Sequence, residues 1–295
     1  MLIKLKYKDE HMEKSIDRLK VIDNIEKNIK EKKFNDKVEE NDPFMTEEER
    51  RELILDFDNL KTKWRNKFKA NIARYIVDMI TLDANQSTEI IGIENIKDLD
   101  SGAIITSNHF SKMDNTVIRY LMHKIGKRKD LFIVVQETNM KMEGEIGWLL
   151  KNCYTIPLSS NLDYLQNNFV PTLKKILDNK GFVLIYPEQE MWFNYKRPRP
   201  HKIGAYHYAC KFNVPIVPCF IEMVNTDEVM NDGFKEIKYR LHVLKPIYPD
   251  MEKTLRERKE EMREKDYSAR VELYESLYSR KIEDEFDRKK DIAGW

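Results

Sequence analysis

The 295-residue chain is short of the residues that staple, punctuate or unbalance a protein, and each shortage removes a class of function. Cys153, Cys210 and Cys219 form an odd set without a C-x-x-C pair, all in apolar or mixed segments. They read as buried thiols of a reducing compartment. The 9 glycines build no G-x-G-x-x-G, no P-loop and no G-x-S-x-G, so neither a nucleotide cofactor nor a serine-hydrolase elbow is indicated and no cofactor is expected. Net charge is nearly absent: 52 Lys+Arg against 51 Asp+Glu leave +1, which gives a nucleic acid no electrostatic hold. No apolar run reaches the ~18 residues of a membrane span, and Met1-Leu2-Ile3-Lys4-Leu5-Lys6 is too short and too charged for the apolar part of a signal peptide. The expected location is the cytoplasm, peripheral on the cytoplasmic face of a membrane.

What is present is charge of both signs, 35% of residues, concentrated at the two ends. Ile16, Leu19, Ile22, Ile25 and Ile29 recur at steps of three and four among charged residues, which predicts an amphipathic helix. Asp42-Pro43 breaks it. Thr46-Glu47-Glu48-Glu49 reads as a capping box opening a second helix through Leu53, Phe57, Leu60, Trp64, Phe68, Ile72, Tyr75 and Met79. Lys61, Lys63, Arg65, Lys67, Lys69 and Arg74 flank that stripe, as in helices that lie in a lipid interface. An ordinary surface helix packed on the following domain shows the same pattern.

From residue 88 short apolar runs alternate with helical spacing. Strands are expected at Ile90–Ile93, Ala103–Thr106, Leu131–Val135, Tyr154–Leu158, Phe182–Tyr186, Ile216–Ile221 and Tyr239–Leu244, and helices at Thr116–Ile125, Asn139–Lys151, Tyr164–Asp178 and Ile203–Lys211. The pattern predicts an α/β fold with a mixed, mostly parallel sheet flanked by helices. The expected divisions are an N-terminal helical extension over 1–84, a domain over 85–250, and a charged C-terminal helical tail over 251–295 that packs on the domain or pairs with another chain.

The chemistry centres on Ser107-Asn108-His109-Phe110-Ser111-Lys112-Met113-Asp114, a turn between a buried strand and a helix. Open α/β sheets bind ligands at the carboxyl ends of their strands. On one continuous helix His109 and Asp114 would stand about 140° apart, so they meet only if the chain turns between them. The bland alternative is a helix-capping Asp114 beside an incidental histidine. Phe182-Val183-Leu184-Ile185-Tyr186-Pro187-Glu188 is another apolar strand ending in a carboxylate, and Val214-Pro215-Ile216-Val217-Pro218-Cys219 is a third strand.

Over roughly residues 88–248 the chain resembles the glycerolphosphate/lysophospholipid acyltransferase family, whose first motif reads N-H-x-x-x-x-D and third F-P-E-G-T-R. Asn108, His109 and Asp114 match the first. Pro187 and Glu188 match the core of the third, with Tyr186 in place of its phenylalanine. Lys202, Gly204 and Ala205 resemble the K-x-G-A that follows, and Pro215-Ile216-Val217-Pro218 the fourth block. Gly92-Ile93-Glu94-Asn95 with Ala103-Ile104-Ile105 is similar to the lead-in strand.

This resemblance implies acyl transfer from a thioester, acyl-CoA or acyl-acyl carrier protein, to a hydroxyl of a lipid acceptor in phospholipid or glycolipid synthesis. His109 is the expected base and Asp114 its orienting carboxylate. Asn108, Glu188, Lys196, Arg197, Arg199 and Lys202 are expected around the acceptor. Backbone amides near the His109 turn are the expected oxyanion donors.

The chain departs from the family where Gln189-Glu190-Met191 replaces Gly-Thr-Arg, and where Cys153-Tyr154-Thr155-Ile156-Pro157-Leu158 carries no second-motif arginine. With those phosphate-associated arginines missing, a glycolipid or other polyol-bearing lipid is the expected acceptor ahead of lysophosphatidate, unless Lys196, Arg197 or Arg199 supplies a substitute phosphate site. A non-catalytic lipid-binding protein and an acyl thioesterase are the alternatives. His201, His207 and Cys210 do not have the spacing of a zinc site, and no metal is expected. Trp192-Phe193-Asn194-Tyr195-Lys196-Arg197 interleaves aromatics with cations, as at a lipid headgroup or acceptor contact.

Overall fold

The protein is described by a computed structural model covering residues 18–39, 45–46, 48–50, 52, 64–230 and 233–295, with the side chains of 64–67 outside the description. The elements in chain order are α1 (Arg18–Lys30), α2 (Trp64–Ala84), β1 (Glu89–Ile91), β2 (Ala103–Thr106), α3 (Asn115–Lys124), β3 (Leu131–Gln136), α4 (Gly144–Asn152), β4 (Thr155–Leu158), α5 (Val170–Asp178), β5 (Phe182–Ile185), α6 (Gly204–Phe212), β6 (Ile216–Val229), β7 (Lys235–Val243), α7 (Leu255–Tyr278) and the short α8 (Arg288–Asp291). The mixed, mostly parallel sheet with helices at both chain ends is the predicted architecture. Of the second predicted helix, Thr46 and Glu49 form the expected reciprocal cap, while Leu53, Phe57 and Leu60 lie outside the described residues.

The sheet runs β1-β7-β6-β2-β5-β3-β4, parallel except for the antiparallel β6–β7 pair. Period-two alternation fills both faces. Ile105, Phe182, Leu184 and Val217 join Val117 and Leu121 of α3 on one side; Ile104, Val183 and Ile216 join Leu173, Tyr206 and Met262 on the other. Each fully buried aliphatic side chain contributes about 1.5–3 kcal/mol by area, so the two-sided filling commits these strands to the middle of the domain. β6 and β7 extend well beyond the predicted strands, because past Ile221 each pairs with the other as a hairpin. That pairing does not need an apolar sequence.

The order places β2 beside β5 in parallel, with Thr106 opposite Ile185. The segments beginning at Ser107 and Tyr186 therefore leave the sheet side by side at the same end. Gly102 permits β2 to enter beneath α5, since a Cβ there would collide with the Leu177 backbone.

The C-terminal segment packs on the domain. α7 lies against α6 and β6, and its Asp266, fully buried, accepts from Thr106 at the end of β2 (2.7 Å), from the Tyr206 hydroxyl (2.7 Å) and from Arg270 Nε (2.7 Å). Burial pushes the Asp266 carboxyl up; the Arg270 guanidinium, His201 and the Thr106 and Tyr206 hydroxyls beside it together outweigh this and hold it below its ordinary value. Beyond α7 the chain returns to bury Ile292 beside Trp192 and Tyr195, in a cluster completed by Val21, Ile22 and Ile25 of α1. The N-terminal extension thus joins the domain through α1, whose apolar stripe was legible but whose partner was not.

α2 docks differently. Ala73 and Thr81 are its buried residues, Arg74 lies over the Tyr154 ring, and Asp78 pairs with Arg128. Phe68, Ile72, Tyr75, Met79 and Leu82, at steps of four and three, all face solvent, with Phe68 66% and Tyr75 67% exposed. The predicted stripe exists, and the helix packs on the domain by the opposite face, which carries Ala73, Val77, Ile80 and Thr81.

Candidate active site

Leaving β2, Asn108 turns inward and bridges to β6: its Nδ2 donates to the Ile221 carbonyl (3.0 Å) and its Oδ1 accepts from the Ile221 amide (2.9 Å). This fixes the start of the turn. Phe110, fully buried, anchors it in the core. Between these two pins the chain reverses, and His109 Nδ1 comes 2.7 Å from Asp114 Oδ2.

Asp114 occupies the residue before α3 but makes no side-chain cap. Its Oδ2 also accepts from the amides of Phe110 (2.9 Å) and Ser111 (3.2 Å), and its Oδ1 accepts from the Tyr186 hydroxyl (2.5 Å). The carboxylate is 1% exposed. With only acceptor atoms facing Nδ1, that nitrogen carries the ring proton in the neutral imidazole. Nε2 bonds no described residue, and the His109 side chain keeps 21% of its surface open. The arrangement is a base whose proton-accepting atom faces outward, oriented from behind by a carboxylate.

The turn after β5 closes over the same place. Tyr186 stacks on the His109 ring, centroids 4.0 Å apart and planes 17° apart. Glu188, 2% exposed, bonds Arg199 Nη2 (2.9 Å) and the Arg199 amide (3.1 Å), and its Oε2 accepts from the His109 amide (3.4 Å). Arg199, 1% exposed, also donates to the carbonyls of Phe34 and Glu190. The N-terminal segment straps this turn from outside: Asn35 Nδ2 donates to the carbonyls of Glu188 and Pro200, and Trp192 Nε1 to that of Asp36.

Most of the residues expected around an acceptor have internal partners in this structure. Asn108 serves the β6 backbone and Glu188 the Arg199 guanidinium. Lys196 is buried with its Nζ on the Lys290 carbonyl (3.0 Å), and burial lowers its pKa. Arg197 chelates Asp291 through Nε (2.9 Å) and Nη2 (2.6 Å) and donates to the carbonyls of Ile282, Asp284 and Glu285. Its partners lie about ninety residues away, so nothing local in the basic loop marks these cations as structural. Lys202 alone of the group is exposed, and among the described residues neither it nor the half-buried Lys112 of the His109 turn forms an ion pair. The amides of Phe110 and Ser111 point at Asp114 and are not available to an oxyanion; in that turn the Lys112 amide has no described acceptor.

One feature escaped the sequence reading. The N-terminal strap has no motif to announce it. The Tyr186 hydroxyl was visible as one atom more than the phenylalanine of the resembling motif.

Residues 87–222 match the family model described as Acyltransferase. Over 200 residues the chain is 26% identical to the "1-acyl-sn-glycerol-3-phosphate acyltransferase BAT2, chloroplastic" of Brassica napus, covering 66% of this chain and 54% of that protein. Over 189 residues it is 26% identical to the "1-acyl-sn-glycerol-3-phosphate acyltransferase LPAT1, chloroplastic" of Arabidopsis thaliana, covering 63% and 50%. The chain spans about half the length of these curated relatives. Among solved structures, the 1-acyl-sn-glycerophosphate (LPA) acyltransferase PlsC from Thermotoga maritima matches with a TM-score of 0.50 and 19% identity over 73% of this chain and 82% of that one, a likeness of fold.

If Glu188 is a structural ion-pair partner, Glu188→Ala strands a buried guanidinium and should lower stability by about 3–5 kcal/mol in urea unfolding. A variant as stable as the parent would mean that the carboxylate is not held in this way.

Proposed function

We propose that this chain, whose residues 87–222 match the family model described as Acyltransferase, transfers a fatty acyl group from an acyl thioester to a hydroxyl of a lipid acceptor. The observation that carries the reading is the imidazole of His109, locked through Nδ1 and open at Nε2. A lipid alcohol is a poor nucleophile near neutral pH, and an imidazole with an unperturbed pKa near ~6.5 suits the removal of its proton during attack. The alcohol oxygen bonds to the thioester carbonyl carbon as Nε2 takes the hydroxyl proton. The tetrahedral oxyanion then collapses, the C–S bond breaks, and the imidazolium returns the proton to the departing thiolate. The products are an ester and a free thiol. The nucleophile comes from the substrate, so no acyl-enzyme is needed, and Asp114 remains ionised while its charge stabilises the imidazolium. The Lys112 amide is the turn's candidate oxyanion donor.

The donor is acyl-CoA or acyl-acyl carrier protein. The relatives' names support 1-acyl-sn-glycerol 3-phosphate as acceptor, and the internal engagement of Arg197 and Arg199 supports a neutral polyol headgroup; Lys112 and Lys202 are the cations left to greet a phosphate. The place of action is a membrane surface, supported by the row Phe68, Ile72, Tyr75, Met79 and Leu82 that α2 turns to solvent. No helix among the described residues is long and apolar enough to cross a membrane.

Incubation with labelled acyl thioester and either lysophosphatidate or a neutral glycolipid should place label in one of the lipids. Label recovered only as free acid would show a thioesterase, and no turnover would show a binding protein. His109→Ala should lose about 10²–10⁴-fold in transfer while remaining folded; a folded variant near the parent rate would refute the mechanism. Asp114→Asn should also be strongly impaired, because the amide no longer selects the productive tautomer.

For the membrane contact, burying one large apolar side chain contributes about 1.5–3 kcal/mol. The full chain carrying Phe68→Glu and Tyr75→Glu should therefore lose affinity for anionic vesicles by well over tenfold in flotation. Unchanged flotation would place the contact elsewhere.

A further inference from the structure

Tyr186 adds a hydroxyl to the position that faces the catalytic pair, and that hydroxyl has one destination. It donates to Asp114 Oδ1 at 2.5 Å, the oxygen that His109 does not use. The ring carrying it lies flat against the imidazole, 4.0 Å between centroids. One side chain thus touches both members of the pair, through its face and through its polar tip.

We propose that Tyr186 is a positioning residue of the acyl-transfer site, setting the basicity and the aim of His109 by way of Asp114. The inference rests on the function proposed above. Oδ2 receives the Nδ1 proton and two backbone amides, all from its own turn. Among the described residues Oδ1 receives the phenol alone, from the neighbouring strand's turn. A donor on Oδ1 withdraws charge from the carboxylate, so the imidazolium is stabilised less and His109 is kept a weaker base that releases its proton readily to the thiolate. The same bond stops the carboxylate rotating about its Cβ–Cγ axis, which would carry Oδ2 out of line with Nδ1.

The phenol is suited to this work because it does not titrate near neutral pH. Burial of the hydroxyl and the adjacent Asp114 charge push its pKa well above the ordinary value of 10.0, and the Arg119 guanidinium opposes this only in part. Among the other charged groups near His109, Glu188 accepts from its amide and Arg199 donates to its carbonyl, these two being paired with each other, while Arg119 lies close enough to act on Tyr186 and Lys112 belongs to the same turn. Tyr186 is therefore the neutral group through which the basicity of the pair is adjusted.

Tyr186→Phe keeps the stacked ring and removes only the donor. In the full-length chain, the His109 imidazole titration followed by NMR should move up by roughly half a unit to one unit, and the acidic limb of the kcat–pH profile should move with it. At neutral pH kcat should fall by about tenfold with KM little changed. Replacement of Tyr186 by 3-fluorotyrosine, a stronger donor of the same shape, should move the titration in the opposite direction.

A His109 titration unmoved by both replacements would overturn the proposal, whatever happens to activity. Equal losses in stability without a titration shift would likewise reduce Tyr186 to a packing residue. The titration requires no substrate, so a parent chain that transferred no acyl group would refute the function proposed above while the shift alone still decided the role of Tyr186.

Discussion

The Asp114 carboxylate accepts four hydrogen bonds, from His109, Phe110, Ser111 and Tyr186, and the other features of the site depend on that convergence. A buried carboxylate without donors would become protonated, and a protonated one could not hold the imidazole in the useful tautomer. The amides of residues 110 and 111 donate to it and so fix the tight reversal that brings His109 back towards it. The His109–Asp114 contact and the backbone turn thus share one carboxylate oxygen.

The rest of the molecule supplies the frame for this turn. Parallel pairing of β2 and β5 brings Tyr186 and Glu188 to the same end of the sheet as His109. The turn after β5 is then held from inside by Arg199, from the N-terminal side by Phe34, Asn35 and Asp36, and from the C-terminal side by Asp291 through Arg197. Buried ion pairs of this kind contribute little net stability, but breaking one partner is costly. Both ends of the chain therefore register the condition of one loop, and a disturbance at either end is expected to reach the site.

The sheet was legible because its strands are short, apolar and β-branched, and the alternation with helical spacing fixed their parallel arrangement. The His109–Asp114 pair was legible because five-residue spacing demands a turn. The internal partners of Lys196, Arg197 and Arg199 were not legible for a specific reason: a basic loop looks the same whether it faces a phosphate or the carbonyls of residues 282–290. The deciding partner, Asp291, is a single carboxylate in a charged tail, and nothing in its neighbourhood marks it as buried. Likewise the stripe on α2 was readable as a stripe, whereas its direction depended on Ala73 and Thr81 being small enough to let the opposite face approach the domain.

The central claim is that Asp114 holds the neutral imidazole of His109 with its proton on Nδ1, leaving Nε2 as the base. The 15N chemical shifts of that ring, measured above its titration midpoint, report the tautomer directly. The account predicts a protonated Nδ1 and an unprotonated Nε2. A ring found predominantly with its proton on Nε2 would contradict it.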